Sequence, residues 1–391
     1  MALLKLLRGA CIYIYVDIPC KYKSTLALVG AAYVSYMVLK VSYYSINFVR
    51  THLLYRIRPN NLRRFGDWAA VTGCTSGIGR EYATELARQG FNLVLLNRPG
   101  RLDRVAQSIE ETYDVRVIVI KADFSRGPGV YEEIAAQLRH LEVDVLVNNV
   151  GVMYDYPMPF ADVPANKLWE LVNVNVAAAT MMTHLLLPGM LARRRGAVVN
   201  VASASAYMPT PHVAVYSATK SYVDFLSRAL RHECRGSGVV VQTLVPFYVA
   251  TRMTRYAESI ARPCLTIPSA CDFAVGAART LGVAAHTTGY WCHSLQLMIC
   301  WLVPEWLWMW GATMLNLGLR RQAHRRMMSK QHSSGGSVDG PWASPTHKPG
   351  KLAKSIVSHS EPSTHSGQHD RADPIRAASE NDSVFLESSQ Y

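Results

Sequence analysis

From Trp68 onward, short apolar runs alternate with stretches of helical periodicity. Ala69-Ala70-Val71 is a brief apolar run that ends in a glycine cluster. Arg80 to Gln89 then places Tyr82, Ala83, Leu86 and Ala87 on one helical face, with Gly90 as the stop. Leu93 to Leu96, Val115 to Ile120, Val143 to Val147, Ala197 to Val201, and Val239 to Val241 continuing to Val245 read as further strands. Residues 102–113 are helical, with Leu102, Val105 and Ile109 three and four apart. Strands apolar on both faces need a cover on both faces, which the intervening helices supply. The expected fold is α/β, a doubly wound parallel sheet of Rossmann type.

The flanks differ in kind. Lys and Arg exceed Asp and Glu by 13, yet residues 1–64 hold ten basic residues and one acid, Asp17. The excess therefore lies before the sheet begins, which excludes a nucleic-acid partner for the folded part. Within 1–64, Ser24 to Leu39 carries no charge and Val41 to Val49 continues after the single Lys40. A span of 24–49 crosses a hydrocarbon core of about 30 Å, with Lys40 snorkelling; a buried core helix would not carry so basic a flank. The arginines at 50–64 favour a cytoplasm-like side for the following domain, while Lys21 and Lys23 sit at the other end.

A second apolar zone, 293–320, contains Trp301, Trp306, Trp308 and Trp310, broken by Pro304 and Glu305. It fits a helix–break–helix in a membrane interface, or a lid or dimer contact. The domain is assigned to 65–292, and 321–391 to a disordered tail, because beyond Lys330 the composition shifts to Ser, His, Gly and Pro. Eight cysteines with no C-x-x-C pair exclude a zinc ribbon or disulfide framework, so free, mostly buried thiols and no metal are expected. Arg193-Arg194-Arg195 reads as a solvated helix end.

The chemistry-bearing residues fall inside the α/β region. In Thr72-Gly73-Cys74-Thr75-Ser76-Gly77-Ile78-Gly79, Gly73 allows a tight turn and Gly77 lets a pyrophosphate approach the backbone. Gly79 permits close helix packing, and the helix N-terminus faces the phosphates. The second strand ends Leu96-Asn97-Arg98 with no acid to bind a ribose 2′-hydroxyl. Arg98 is either a partner for a 2′-phosphate, selecting NADP(H), or an ordinary surface arginine. Asp123 is either an acceptor for the adenine amino group or a turn cap. Tyr216 and Lys220, four apart at a helix start, are neighbours on one face. An ammonium beside a phenol draws its pKa toward the range useful for protonating an alkoxide. Ser203, at a strand end, is placed to hold the substrate oxygen.

These motifs, with Asn148-Asn149-Val150-Gly151 and Asn175 in Val172-Asn173-Val174-Asn175-Val176, resemble the short-chain dehydrogenase/reductase family in order and spacing over about residues 65–290. The resemblance implies that Tyr216 is the general acid/base, Ser203 orients the carbonyl and Lys220 lowers the tyrosine pKa. Asn175 would hold a water linking Lys220 to solvent, and Asn148 would brace the central strands. The nucleotide would lie on Gly73, Thr75, Ser76, Gly77, Ile78, Gly79, Arg98, Asp123 and Asn149, with Tyr216, Lys220, Val249 and Thr251 at its nicotinamide end. The usual Asn-Asn-Ala-Gly has Val150 here, and the usual Pro-Gly is Pro246-Phe247. That second change is similar to the membrane-bound branch of 17β-hydroxysteroid dehydrogenases and very-long-chain 3-oxoacyl-CoA reductases. Some members of the branch carry Phe at the position of Tyr216 and are regarded as inactive; this chain keeps all four residues.

The resulting expectation is an NADP(H)-dependent oxidoreductase that interconverts a ketone and a secondary alcohol on a hydrophobic steroid or long 3-oxoacyl thioester. Tyr154, Tyr156, Pro157 and Phe160 are either pocket walls or loop packing. The alternative is an inactive nucleotide-binding pseudoenzyme serving as a membrane adaptor through its tail. The resemblance implies a homodimer through helices near 166–191 and 216–233, and a membrane of the mitochondrion or endoplasmic reticulum. Basic, acid-free Met1 to Ala10 suits the former, and the Asn381-Asp382-Ser383 sequon bears on the latter.

Overall fold

In the computed structural model, which describes residues 20–53 and 61–333, seven strands form one parallel sheet. They are β1 Trp68–Thr72, β2 Asn92–Asn97, β3 Val117–Lys121, β4 Val145–Asn148, β5 Gly196–Val201, β6 Val239–Leu244 and β7 His286–Thr287, in the order β3-β2-β1-β4-β5-β6-β7. Alternate residues of one strand feed opposite cores. Ala69 and Val71 of β1 pack with α2 (Gly77–Arg88), α3 (Leu102–Tyr113) and α8 (Ala270–Arg279), through Leu86, Ile109 and Phe273. Ala70 points to the other core, with Ile134 of α4 (Gly129–Leu138) and Met182 of α6 (Ala178–Ala192). Burial on both faces is what the near-continuous apolar runs require. β1 pairs with both β2 and β4, so the chain winds outward in both directions and leaves a crevice at the carboxyl ends of these strands.

α5 (Ala165–Val172) runs into α6 through a π-helical segment, Asn173–Ala177. α7 (Ala214–Glu233) follows β5. Asp144, just before β4, is buried; its Oδ2 accepts from the Asp67 N–H at 2.8 Å, and its Oδ1 faces Arg193 at 3.5 Å and Arg195 at 3.7 Å. The arginine run is thus no free helix end, because Arg193 also donates to the Val143 carbonyl and compensates a buried carboxylate. Of the six cysteines whose side chains are described, Cys74, Cys234 and Cys292 are buried, whereas Cys264 and Cys271 are exposed. The expectation of mostly buried thiols therefore holds for half of them.

α1 (Cys20–His52) is long and apolar enough from Ser24 to His52 to cross a membrane, and Leu28, Tyr33 and Leu39 are exposed along it. It touches the domain near its end: Arg50 donates to the Val283 carbonyl at 2.7 Å, and His52 pairs with Ser294 Oγ at 2.8 Å. Tyr44 stacks edge-on against Trp301. After α9 (Trp291–Cys300) the chain breaks at Pro304, where ring geometry favours a new helix start, and α10 (Glu305–Ser333) follows. A tail beginning at 321 is corrected by this helix, whose Leu319 and Ala323 are buried while Trp306 and Trp310 are 68% and 62% exposed. Residues 334–391 and Met1 to Ala10, which carry the tail, sequon and targeting expectations, lie outside the described residues.

Candidate active site

The crevice is built from side chains that tie adjacent strand ends together. Thr72 Oγ1 donates to the Val147 carbonyl at 3.2 Å and accepts from the N–H groups of Asn149 and Val150, each at 3.0 Å. Asn149 Nδ2 returns the contact, donating to the carbonyls of Thr72 at 2.9 Å and Gly73 at 3.1 Å. Gly73 has φ +70°, and a Cβ there would stand 2.8 Å from Val150 Cα. At Gly79 a Cβ would overlap Asn149 Nδ2 and stand 2.5 Å from the Gly73 carbonyl oxygen. Helix α2 therefore packs this closely only because both positions lack side chains. Gly77, with φ +60°, faces Thr251, and Ile78 joins the core beneath α2.

Ser76 is the N-cap of α2, yet its side chain makes no cap bond, so no N-cap side chain takes up the first N–H groups of the helix. A side-chain-poor turn at an open helix N-terminus fits the phosphates of a dinucleotide. Thr75 accepts from Asn97 Nδ2. Arg98 is exposed in the loop after β2. Asp123 Oδ1 accepts from the Ser125 N–H at 3.0 Å and hydroxyl at 2.7 Å, which is the capping role. Asn148 Nδ2 donates to Thr183 Oγ1 at 2.9 Å and Asn200 Oδ1 at 2.8 Å, bracing β4 against α6 and β5.

The four catalytic candidates converge beside this turn. Ser203 starts the turn after β5, and its Oγ accepts from the Ser205 N–H at 3.3 Å. Ser217 Oγ donates to the Ser205 carbonyl, stapling the first turn of α7 to the Ser203 loop. Tyr216, in that same first turn, lies near enough to Ser203 for the serine to pull its phenol's pKa down. One turn along, Lys220 is buried, with Nζ 5.9 Å from the centre of the Tyr216 ring and donating to the Val201 carbonyl at 2.9 Å. Asn175 sits in the π-helical segment, whose widened turn is a recurrent device at functional sites. Its Oδ1 accepts from the Val152 N–H at 2.8 Å, and its Nδ2 donates to the Val152 carbonyl at 2.9 Å and Thr219 Oγ1 at 3.0 Å. A Cβ on Gly151 would touch both Lys220 Nζ and Asn175 Oδ1, at 3.3 and 3.4 Å.

The electrostatics differ from the expected pairing in one respect. Burial pushes the Tyr216 phenol up, and the opposing influence is its bond to Ser203, not a Lys220 contact. Burial lowers Lys220 from 10.5 to about 8, because an enclosed ammonium loses its hydration. The lysine directs a bond to the Val201 carbonyl.

Val249 is buried beside Thr251, whose turn is closed by a reciprocal bond with Thr254. Tyr154 is buried among Leu171, Val213 and Tyr216 and accepts from the Val215 N–H at 3.2 Å. Tyr156 packs on His324 of α10, while Phe160 is exposed. Tyr248 and Tyr256 escaped the sequence reading. Burial, and after it neighbouring Tyr216, pushes Tyr248 to about 12, and Tyr256 is raised by burial and both other tyrosines. The available signal was Phe247-Tyr248 in place of the usual glycine.

A doubly wound sheet with this turn, and a tyrosine–lysine–serine–asparagine set beside it, is the arrangement of an oxidoreductase family whose members bind nicotinamide dinucleotides. The chain matches the short chain dehydrogenase family model over residues 67–260. It is 44% identical over 305 residues to the human inactive hydroxysteroid dehydrogenase-like protein 1, covering 77% of this chain and 92% of that one. To the human very-long-chain 3-oxoacyl-CoA reductase it is 37% identical over 310 residues, covering 78% and 96%. The solved L-sorbose reductase of Gluconobacter frateurii, complexed with NADPH and L-sorbose, is similar at 26% identity and TM-score 0.51, covering 57% of this chain and 93% of that one. The chain belongs to the short-chain dehydrogenase family.

Proposed function

We propose that this chain is an NADP(H)-dependent reductase or dehydrogenase that interconverts a ketone and a secondary alcohol on a hydrophobic substrate presented from a membrane. The observation that carries the reading is the joint placement of Ser203, Tyr216, Lys220 and Asn175 at the sheet crevice, beside the glycine turn. The bound reduced nucleotide supplies hydride. Ser203 donates to the substrate oxygen and sets it against Tyr216, whose hydroxyl delivers the proton the oxygen needs. Lys220 maintains positive potential beneath the phenol, and Asn175 fixes the Val152 loop and α7 around it.

The surfaces around the cleft support a lipid-phase substrate. α10 bridges three loops that frame the crevice: Asn316 donates to the Pro211 carbonyl, Arg320 pairs with Asp162, and Arg326 donates to the Arg255 carbonyl. Its other half presents Trp306 and Trp310 outward, and Trp301, at the end of α9, meets Tyr44 of α1. A helix that is aromatic and exposed at one end and tied to the loops of the domain at the other suits an interfacial position. The exposed Trp169, Tyr222 and Phe225 on α5 and α7 support a homodimer through that face. Imaging a tagged copy against mitochondrial and endoplasmic reticulum markers assigns the membrane.

Turnover of NADPH by the full chain with a panel of steroid and long-chain acyl ketones tests the reading. Activity that disappears in Tyr216→Phe supports it. Nucleotide binding with no turnover across the panel instead supports an inactive, membrane-bound adaptor; the name of the human relative calls that protein inactive.

A further inference from the structure

The contact between α1 and the domain stops partway along the helix. From Ser24 to Tyr36 every residue is exposed, whereas Met37, Lys40, Tyr44, Asn47, Phe48 and Thr51 form a covered stripe at helical spacing. At the C-terminal end of that stripe Arg50 and His52 bond to the domain, and the Ser294 hydroxyl that meets His52 also meets Thr288 Oγ1 at 2.7 Å. Its other end reaches the break between α9 and α10. Lys40 Nζ lies 5.9 Å from the centre of the Trp301 ring and 5.7 Å from that of Tyr36, a cation–π arrangement. Tyr44 packs on the same indole. Beyond Trp301 the break exposes Leu302, Trp306 and Trp310.

Charge and length set this level against a bilayer. Ser24 to Leu39 is free of charge between Lys23 and Lys40, which at about 1.5 Å per residue makes roughly 24 Å. Lysine stems reaching outward at both ends complete a hydrocarbon core of about 30 Å. The longer span, 24–49, holds Lys40 well inside the hydrocarbon, where an ammonium is costly, and draws the His52–Ser294–Thr288 bonds toward lipid. Tryptophan and tyrosine collect at headgroup depth, and here they surround the lysine of the stripe. The exposed Ile46 lies roughly 9 Å past Lys40 along the axis, at the outer edge of the headgroup layer. We propose that α1 crosses the hydrocarbon from Ser24 to Leu39 only, and that Lys40, Trp301, Trp306 and Trp310 form a seat on which the α9–α10 break rests against phospholipid headgroups. The inference deepens the membrane part of the reading above, moves the boundary on the domain side from Val49 to Lys40, and is independent of nucleotide and turnover.

The test uses the full chain reconstituted in phosphatidylcholine vesicles whose acyl chains carry bromine either near the headgroup or near the chain end. The fluorescence that is lost in Trp301→Phe, and in a variant carrying both Trp306→Phe and Trp310→Phe, isolates these rings. The shallow bromines are expected to quench it more strongly than the deep ones, by about twofold or more. Lys40→Leu extends the charge-free run from 24–39 to 24–49, so it is expected to draw Trp301 inward and raise the deep quenching. Deep quenching that equals or exceeds the shallow in wild type overturns the boundary. Quenching by neither overturns the seat, and a Lys40→Leu protein with unchanged depth overturns the part given to the lysine. Equal melting temperatures of wild type and variants show that the domain stays folded. A chain that does not float with the vesicles overturns the membrane reading as well, whereas absence of NADPH turnover touches neither.

Discussion

Replacing Lys220 by Met should make the protein more stable while removing its activity. The ammonium is buried, and burial brings its pKa from 10.5 to about 8. At about 1.4 kcal/mol per pH unit, enclosing the charge weakens the fold by about 3 kcal/mol at neutral pH. Against this, Met leaves the Val201 carbonyl without the donor that reaches it at 2.9 Å, a loss of about 1 to 2 kcal/mol. The difference favours the variant by about 1 to 2 kcal/mol, or roughly 2–4 °C of melting temperature per kcal/mol. The sign with pH follows from linkage. Below about pH 8 the folded and unfolded lysine are both charged, and the penalty is full. Between about 8 and 10.5 the folded protein binds fewer protons, so wild-type stability rises with pH relative to the Lys220→Met variant; above 10.5 the penalty is gone. Melting curves of both proteins in detergent, taken from pH 7 to pH 10, measure this. A Lys220→Met protein that melts lower than wild type at pH 7, or a difference between the two that is flat from pH 8 to 10, refutes the reasoning.

Other outcomes follow from single contacts. Gly79→Ala drives a Cβ into Asn149 Nδ2 and the Gly73 carbonyl; the expected overpacking cost is about 1–3 kcal/mol, with a smaller NADPH-induced rise in melting temperature. For Asp224, burial pushes its pKa upward, but the bond from His286 and the charges of His286, Arg228 and Arg231 outweigh it and leave the carboxyl below its usual value. Its stabilising contribution is present above the unfolded pKa and is lost as pH falls through the folded one, so Asp224→Asn flattens the acid limb of the stability profile below about pH 4. Phe225→Asp, at a ring that is exposed on α7, is expected to convert a dimer to monomers in multi-angle light scattering, with the melting temperature retained.

Six of the seven strands, the helices after β1 and β2, the glycine turn and the Tyr216–Lys220 pair were legible in the sequence, because each is a pattern within a few residues. Apolar runs mark strands buried on both faces, and four-residue spacing puts two side chains on one helical face. β7 escaped notice because two residues, His286–Thr287, carry no period. Only the tertiary structure decided which distant groups meet. It paired Asp144 with Arg193 and brought Arg252 to Ser76. It turned Lys220 toward Val201 and buried Leu319 and Ala323 of a Trp-rich helix whose Trp306 and Trp310 stay exposed. A local window records what a residue is and where its side chain points along its own element. The partner that settles its charge or covers its surface arrives from another element, 19 residues away for Lys220 and 176 for Arg252, and packing alone chooses it.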